Sequence, residues 1–461
     1  MCFLLRCSKI ILACFLLGGC AGYSGTVQGV RTSLLAGDKA GALSEVNGAL
    51  GVDTAAEMPE EIEGATALLL LERATVKQGV SQFKSSAFDF RVADKHLELL
   101  DLKNDTAGNI GKYLFSDDAT VYKAPAYEKL LLNTMNMINY LSQNDLEGAR
   151  VEARRLQVMQ DYLAETSERD SLQGLGSYLA GFAFEMSGQA EKALAHYDEA
   201  LTNSRDLADD SNPSFVASVR RLAGCTEFRT DSLRRVMGEA GPSETCQKRQ
   251  PGKGTILVIS TVGLAPYKVA KRIPIGAALV IAGAYLGALQ TSQAQQLAAR
   301  GLLTFINFPV MERTAVRFDR ARVAVDKTLA GADYRFDLTA EVLRAWDGIK
   351  GQLMFAAITR MIARALAGVA AEQAVKSAGG NGIGALVAGL AVQGALTAAD
   401  TPDTRSWVTL PSQVFIARRE VSPGTHEVEV AFEGQAGRAV VKKEATVVDG
   451  GYAVIFVASM R

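Results

Sequence analysis

Ala180 to Leu201 reads AGFAFEMSGQAEKALAHYDEAL. Apolar residues recur at steps of three and four on either side of Gly188, the period of two amphipathic helices. Gly188 sits where a left-handed turn must end the first helix. Small Gly181 and Ala193 allow the two helices to approach closely, and Phe184 and Tyr197 fill the groove that remains, with Ala200 at the next small position. The stretch therefore predicts an antiparallel helical hairpin.

Working outward, the same pattern recurs in degenerate form. One copy is NYLSQNDLEGARVEARRL, through Tyr140, Asn144, Ala149 and Ala153. Another is LLAGDKAGALSEVNGAL, through Gly37, Ala42, Val46, Ala49 and Leu50. Gly181, Phe184, Gly188, Ala193, Tyr197 and Ala200 resemble the tetratricopeptide consensus at matching offsets. That resemblance implies a helical array over residues 25–235, with irregular spacing between copies. A concave groove able to hold a partner peptide would follow from it. Glu147, Arg150, Glu152, Arg154 and Arg155 are expected to form a solvated helix face.

The chain begins MCFLLRCSKIILACFLLGGC. Arg6 and Lys9 precede an apolar run too short to span a bilayer, as in a secretory leader. Leu17, Gly18, Gly19 and Cys20 resemble the lipobox of bacterial lipoproteins. The resemblance implies a signal peptide at 1–19, lipidation of Cys20 and a short tether at 20–24. Ala21, in place of an aspartate, implies the outer membrane, with the folded part facing the periplasm. Two cysteines remain beyond the anchor, Cys225 and Cys246, which predicts one disulfide in that oxidising compartment. The disulfide would staple a linker at 236–254 and stabilise by roughly 3 kcal/mol.

Tyr122 to Leu141, with Ala149 to Arg155 after it, resembles an uncharacterised family of bacterial lipoproteins with tetratricopeptide-like N-terminal halves. The matching residues are Pro125, Tyr127, Glu128, Asn133 and Tyr140, together with Asp403-Thr404-Arg405-Ser406-Trp407 and Leu410-Pro411. That family implies architecture and no particular reaction.

Beyond Gln247–Gly254, QKRQPGKG, the pattern changes to β-branched runs and period-two alternation. Strands are predicted at Thr255–Thr261, Leu303–Val310, Thr314–Phe318, Arg320–Val325, Ser406–Arg418, Val421–Val430, Gly437–Val448 and Tyr452–Val457. The fold class expected is α+β and multidomain. Its C-terminal domain, residues 255–461, is expected to hold an antiparallel sheet or small sandwich plus apolar Gly/Ala-rich helices. Pro423 to Val428, PGTHEV, resembles the turn and strand of small PEGA-type surface modules. Ile273–Leu289 and Gly379–Ala399 are expected as buried helices packed on the sheet, the alternative being that they touch or enter a membrane, and Leu353–Val375 as an amphipathic, non-spanning one.

Composition narrows the function. Lys plus Arg number 49 and Asp plus Glu 50, for a formal charge of −1, unlike a nucleic-acid-binding chain. The three histidines, His96, His196 and His426, have no metal-ligand spacing, and His426 is expected as an exposed strand residue. Gly252-Lys253-Gly254-Thr255 precedes a strand and so is not a phosphate loop. No catalytic residue, metal, nucleotide or other cofactor is expected. The predicted function is a non-enzymatic interaction scaffold of the cell envelope, held to the membrane by its anchor and working through protein partners. The alternatives are a subunit of an assembly or export machine for surface polymer or peptidoglycan, and a polysaccharide or peptidoglycan hydrolase.

Overall fold

The computed structural model describes residues 23–62, 65–100, 122–165, 173–204, 207, 212–237, 252–329, 334–378 and 402–461. The chain is mixed α/β, helical in its N-terminal half and strand-rich in its C-terminal half. Four helical hairpins come first: α1 (Tyr23–Ala36) with α2 (Lys39–Ala49), α3 (Thr66–Gly79) with α4 (Phe83–His96), α5 (Ala126–Ser142) with α6 (Leu146–Glu165), and α7 (Gln173–Met186) with α8 (Ala190–Asn203). Short α9 (Pro213–Ala223) and α10 (Asp231–Met237) close the array. Two-residue strands β1 (Glu98–Leu99) and β2 (Lys123–Ala124) pair in parallel between the second and third hairpins.

Each hairpin turns on one residue in the left-handed region: Gly37, Ser81, Asn144 and Gly188, with φ of 89, 65, 59 and 74°. At each turn the next N–H reaches back five residues, as in Gln189 N to Phe184 O (2.9 Å) and Gln82 N to Lys77 O (2.9 Å). This satisfies carbonyls that the helix end leaves open. Gly181 faces the ring of Tyr197 so closely that a Cβ there would lie 2.4 Å from it.

The C-terminal half holds two packed sheets. The inner one has order β12-β3-β9-β8, built from β3 (Gly254–Val262), β8 (Tyr334–Phe336), β9 (Gln413–Val421) and β12 (Tyr452–Ser459). The outer one has order β11-β10-β6-β7, from β6 (Arg320–Val325), β7 (Thr328–Leu329), β10 (Gly424–Gly434) and β11 (Gly437–Val447). Ile256, Val258, Phe415, Val430 and Phe432 fill the space between the sheets. Leu257, Ile259, Ile416, Val454 and Phe456 point the other way, into the core of the helical array. Strand β3 is buried along its whole length for this reason, with one sheet face on the helices and one on the second sheet. The sandwich carries a parallel pair, β12 with β3, in place of a purely antiparallel order.

A third element departs from the sandwich. Strands β4 (Tyr267–Pro274) and β5 (Phe305–Glu312) form an antiparallel ribbon whose connection carries α11 (Ile275–Ala282) and α12 (Ala288–Ala299). This limb packs on α13 (Leu338–Ser377), a 40-residue helix about 60 Å long, around Ala278, Ala282, Leu353 and Ile358.

Several expectations are corrected. Thr314–Phe318 is irregular, and strand β9 starts at Gln413, so residues 406–412 are not a strand. Ile273–Leu289 does not form a helix buried on the sheet: it crosses from β4 into α11 and stands on α13, with only Ala278 and Ala282 buried in α11. Leu353–Val375 is helical, and forms the C-terminal part of the longer helix α13. Glu152 is not on a solvated face; it is buried and accepts Asn133 Nδ2 (3.0 Å) and Asn136 Nδ2 (3.0 Å). Gly379–Ala399 lies outside the described residues.

Candidate functional site

Residues 402–412, irregular and turning at Val408–Thr409, pack on the helical array as a strap, and two glutamates hold it. Glu72 on α3 accepts Val408 N (2.8 Å) on one oxygen and Thr409 N (2.9 Å) on the other. Glu128 on α5 accepts Trp407 N (3.0 Å). Three consecutive backbone N–H groups are thus satisfied by carboxylates rather than by a neighbouring strand. The remaining lone pairs of the two acids take Tyr23 Oη (2.6 Å to Glu72) and Tyr122 Oη (2.8 Å to Glu128). Trp407 fills the array interior, with Nε1 on Thr75 Oγ1 (3.0 Å) and its ring against Phe90 at 5.7 Å.

Both acids are buried, and burial raises their pKa against the pull of these donors. Glu72 is pushed up to about 7, and Glu128 also rises. Beside them Arg405 forks onto Asp403 (2.6 Å) and lies over the ring of Tyr122 (5.4 Å). Glu72 directly follows the run Leu68–Leu71 on the same helix, and that adjacency does not by itself mark the acid as buried. Glu128 had been singled out only through a family resemblance.

A second polar knot joins array and sheet. Arg418 on β9 forks onto Glu185 of α7 at 2.9 and 2.7 Å, Tyr197 Oη donates to the same carboxylate (2.7 Å), and Arg221 of α9 completes it. Burial pushes Glu185 up, yet Arg418 and Arg221 outweigh it and hold the acid at about 2. In the α7–α8 hairpin Gly181 faces the Tyr197 ring, Phe184 stacks on His196, Gly188 makes the turn, and Ala193 and Ala200 are buried. Tyr197 has a further role that its aromatic character alone did not suggest.

A small, partly open cleft is lined by Tyr122, Lys268, Trp346 and Asp403. Lys268 Nζ donates to Arg405 O (3.0 Å) and sits 5.4 Å from the Trp346 ring centre. Burial lowers its pKa. The amine thereby ties the limb's root to the strap.

The three histidines stay apart. His196 is buried, stacked on Phe184 at 5.2 Å, and burial drops its pKa to about 4. His426 is not the exposed strand residue expected: it is largely buried and bonds Asp326 Oδ2 (2.6 Å) and Ser422 O (2.8 Å). Among the described residues no group of three or more His, Cys, Asp or Glu could hold a metal ion. Cys225 is disulfide-bonded. Cys246, Cys20, Leu17, Gly18 and Gly19 lie outside the described residues.

The chain matches no family model, no curated protein and no solved structure.

Proposed function

We propose that this chain is a lipid-anchored, periplasm-facing lipoprotein of the outer membrane that works by contact, as a non-enzymatic scaffold of the cell envelope. Its helical half is read as a tetratricopeptide-like array, supported by four hairpins that share one turn geometry and by the Gly181–Tyr197 packing. The observation that carries the reading is how the two candidate surfaces are used. The strap docks on the helices through Glu72 and Glu128, and we read its place as the groove where such an array would take a peptide. The limb, by contrast, turns large apolar side chains outward, with Val280 82% and Leu289 68% exposed. Outward apolar residues grouped on one element mark a contact surface. Contact is therefore assigned to the limb and not to the concave face of the array.

Two measurements test this. A Cys20→Ala variant loses palmitate labelling if the anchor assignment holds; retained labelling refutes it. Crosslinking in the native envelope, with photoreactive groups at Val280 and on the array's outer face, yields adducts from the limb. Adducts from the array face alone would move the contact surface away from the limb.

A further inference from the structure

The limb has an unusual charge layout. From Ile273 to Ala299 no charged residue occurs, and the stretch is bracketed by Lys271 and Arg272 on one side and Arg300 on the other. Lys271 reaches Glu312 (3.0 Å), and the Arg272 guanidinium lies over the Phe305 ring at 4.7 Å. Among the described residues eleven large hydrophobic side chains are exposed, and five of them, Val280, Tyr285, Leu289, Phe305 and Leu366, belong to the limb and its supporting helix. An uncharged tip with outward apolar side chains and a cationic collar is the composition of an element that lies in a membrane interface.

The start of the folded chain gives an independent bearing. Tyr23 Oη donates to Ser406 O (2.8 Å), and Ser24 Oγ meets Thr404 Oγ1 (2.5 Å). Arg31, further along α1, lies 3.3 Å over the ring of Tyr267, the first residue of β4. Lys268 N reaches Ser406 Oγ (3.4 Å), so α1 and the limb's root grip the same strap residues. Only Ala21 and Gly22 separate Cys20 from Tyr23, a reach of about 10 Å at full extension. An acyl chain on Cys20 would leave the protein beside the limb, whose eight-residue strands span about 25 Å.

We infer that the limb, Tyr267–Glu312, lies on the same phospholipid leaflet that holds the anchor, with Val280, Tyr285 and Leu289 in the acyl boundary and Lys271, Arg272 and Arg300 at anionic headgroups. This rests on the anchor assignment for which leaflet is met, while the limb's own affinity does not. The anchor and the limb form two attachments to one surface, so the array and sandwich are held at a fixed tilt and not on a swinging tether.

The test uses the mature chain with Cys20→Ser, exported on a leader removed by the ordinary signal peptidase so that no lipid is attached. It is floated with vesicles of phosphatidylethanolamine and phosphatidylglycerol, and with phosphatidylcholine alone. Expected is flotation with the anionic vesicles, weakened by salt and at least tenfold weaker for the double variant V280E/L289E. Both positions are exposed, and unchanged far-UV dichroism verifies the fold. A Cys20→Ser chain that stays at the bottom with every vesicle overturns the inference, and so does flotation that V280E/L289E leaves unchanged. Sedimentation showing a dimer that V280E/L289E dissociates, without flotation, assigns the limb to a second copy and likewise overturns it. Palmitate labelling of the unaltered chain is read separately. Flotation without labelling removes the anchor and keeps the limb's membrane contact; labelling without flotation does the reverse.

Discussion

Glu72 grips Thr409 across 337 residues of sequence, its carboxylate accepting the Thr409 backbone N–H at 2.9 Å while its other oxygen takes Val408. Nothing local to either residue produces that contact. It forms because α3 presents an acid inside an apolar groove and the strap arrives with unpaired N–H groups. Each half supplies what the other lacks.

Removing the acid should therefore cost more than a surface mutation. Glu72→Ala leaves the buried N–H groups of Val408 and Thr409 without their acceptor, at about 1–3 kcal/mol each before relaxation, while the Tyr23 hydroxyl keeps Ser406 O. A loss of at least about 2 kcal/mol is expected in urea unfolding, with Glu72→Gln losing less. The pH sign is also set. The folded acid titrates at about 7 against its ordinary 4.5, so the native state holds a proton the unfolded chain has released. Stability from this group is greatest below pH 4.5 and falls as pH rises to 7. Glu72→Gln flattens that part of the profile.

Glu185 behaves oppositely. Held at about 2 by Arg418 and Arg221, it contributes stability that is complete above pH 4.5 and lost as pH falls toward 2. Arg418→Met removes the doubly bonded partner of buried Glu185, leaving it Arg221 and Tyr197, and should cost up to about 3–5 kcal/mol. The double variant Glu185→Leu with Arg418→Met should recover most of it. A double-mutant cycle by chemical denaturation measures the coupling, and additive losses would contradict the pairing.

The hairpin turn and contact can be tested separately. Gly181→Ala drives a methyl into the Tyr197 ring and should cost about 1–3 kcal/mol. Gly188→Ala meets nothing within 4 Å, so only its left-handed backbone is penalised, by about 1–2 kcal/mol. Thermal unfolding of both variants distinguishes a packing cost from a backbone cost.

Trp407 is an internal reporter of strap docking. The chain has two tryptophans, and Trp346→Phe leaves Trp407 alone, 1% exposed. Its emission should be blue-shifted in the folded protein and move red together with the loss of helix. Trp407→Ala should cost about 3–5 kcal/mol. A red shift well before helix loss would show the strap leaving an intact array.

Much of this architecture could be read from the chain itself, and the misses have physical causes. Gly37, Asn144 and Gly188 announce left-handed turns, so three hairpins were legible. The fourth turns on Ser81, a residue that gives no such signal, and it went unseen. Ser406–Ser412 carries strand-like residues, but its N–H groups go to side chains, which periodicity does not report. His426 found its carboxylate partner in Asp326, 100 residues away, and Glu152 its amides on the preceding helix. Ile273–Leu289 departs from the buried helix expected because an uncharged Gly/Ala-rich segment reads alike whether all of it is buried or only one side, as here at Ala278 and Ala282.

The parallel pairing of β12 with β3 has a consequence for timing. The chain's last strand lies inside the inner sheet's contact with the first helices, where Lys39 Nζ caps Ala458 O at 2.8 Å. A chain made from its N-terminus therefore completes the inner sheet late: β3 keeps one bare flank, open to non-native pairing, until β12, about 200 residues further on, is available to it.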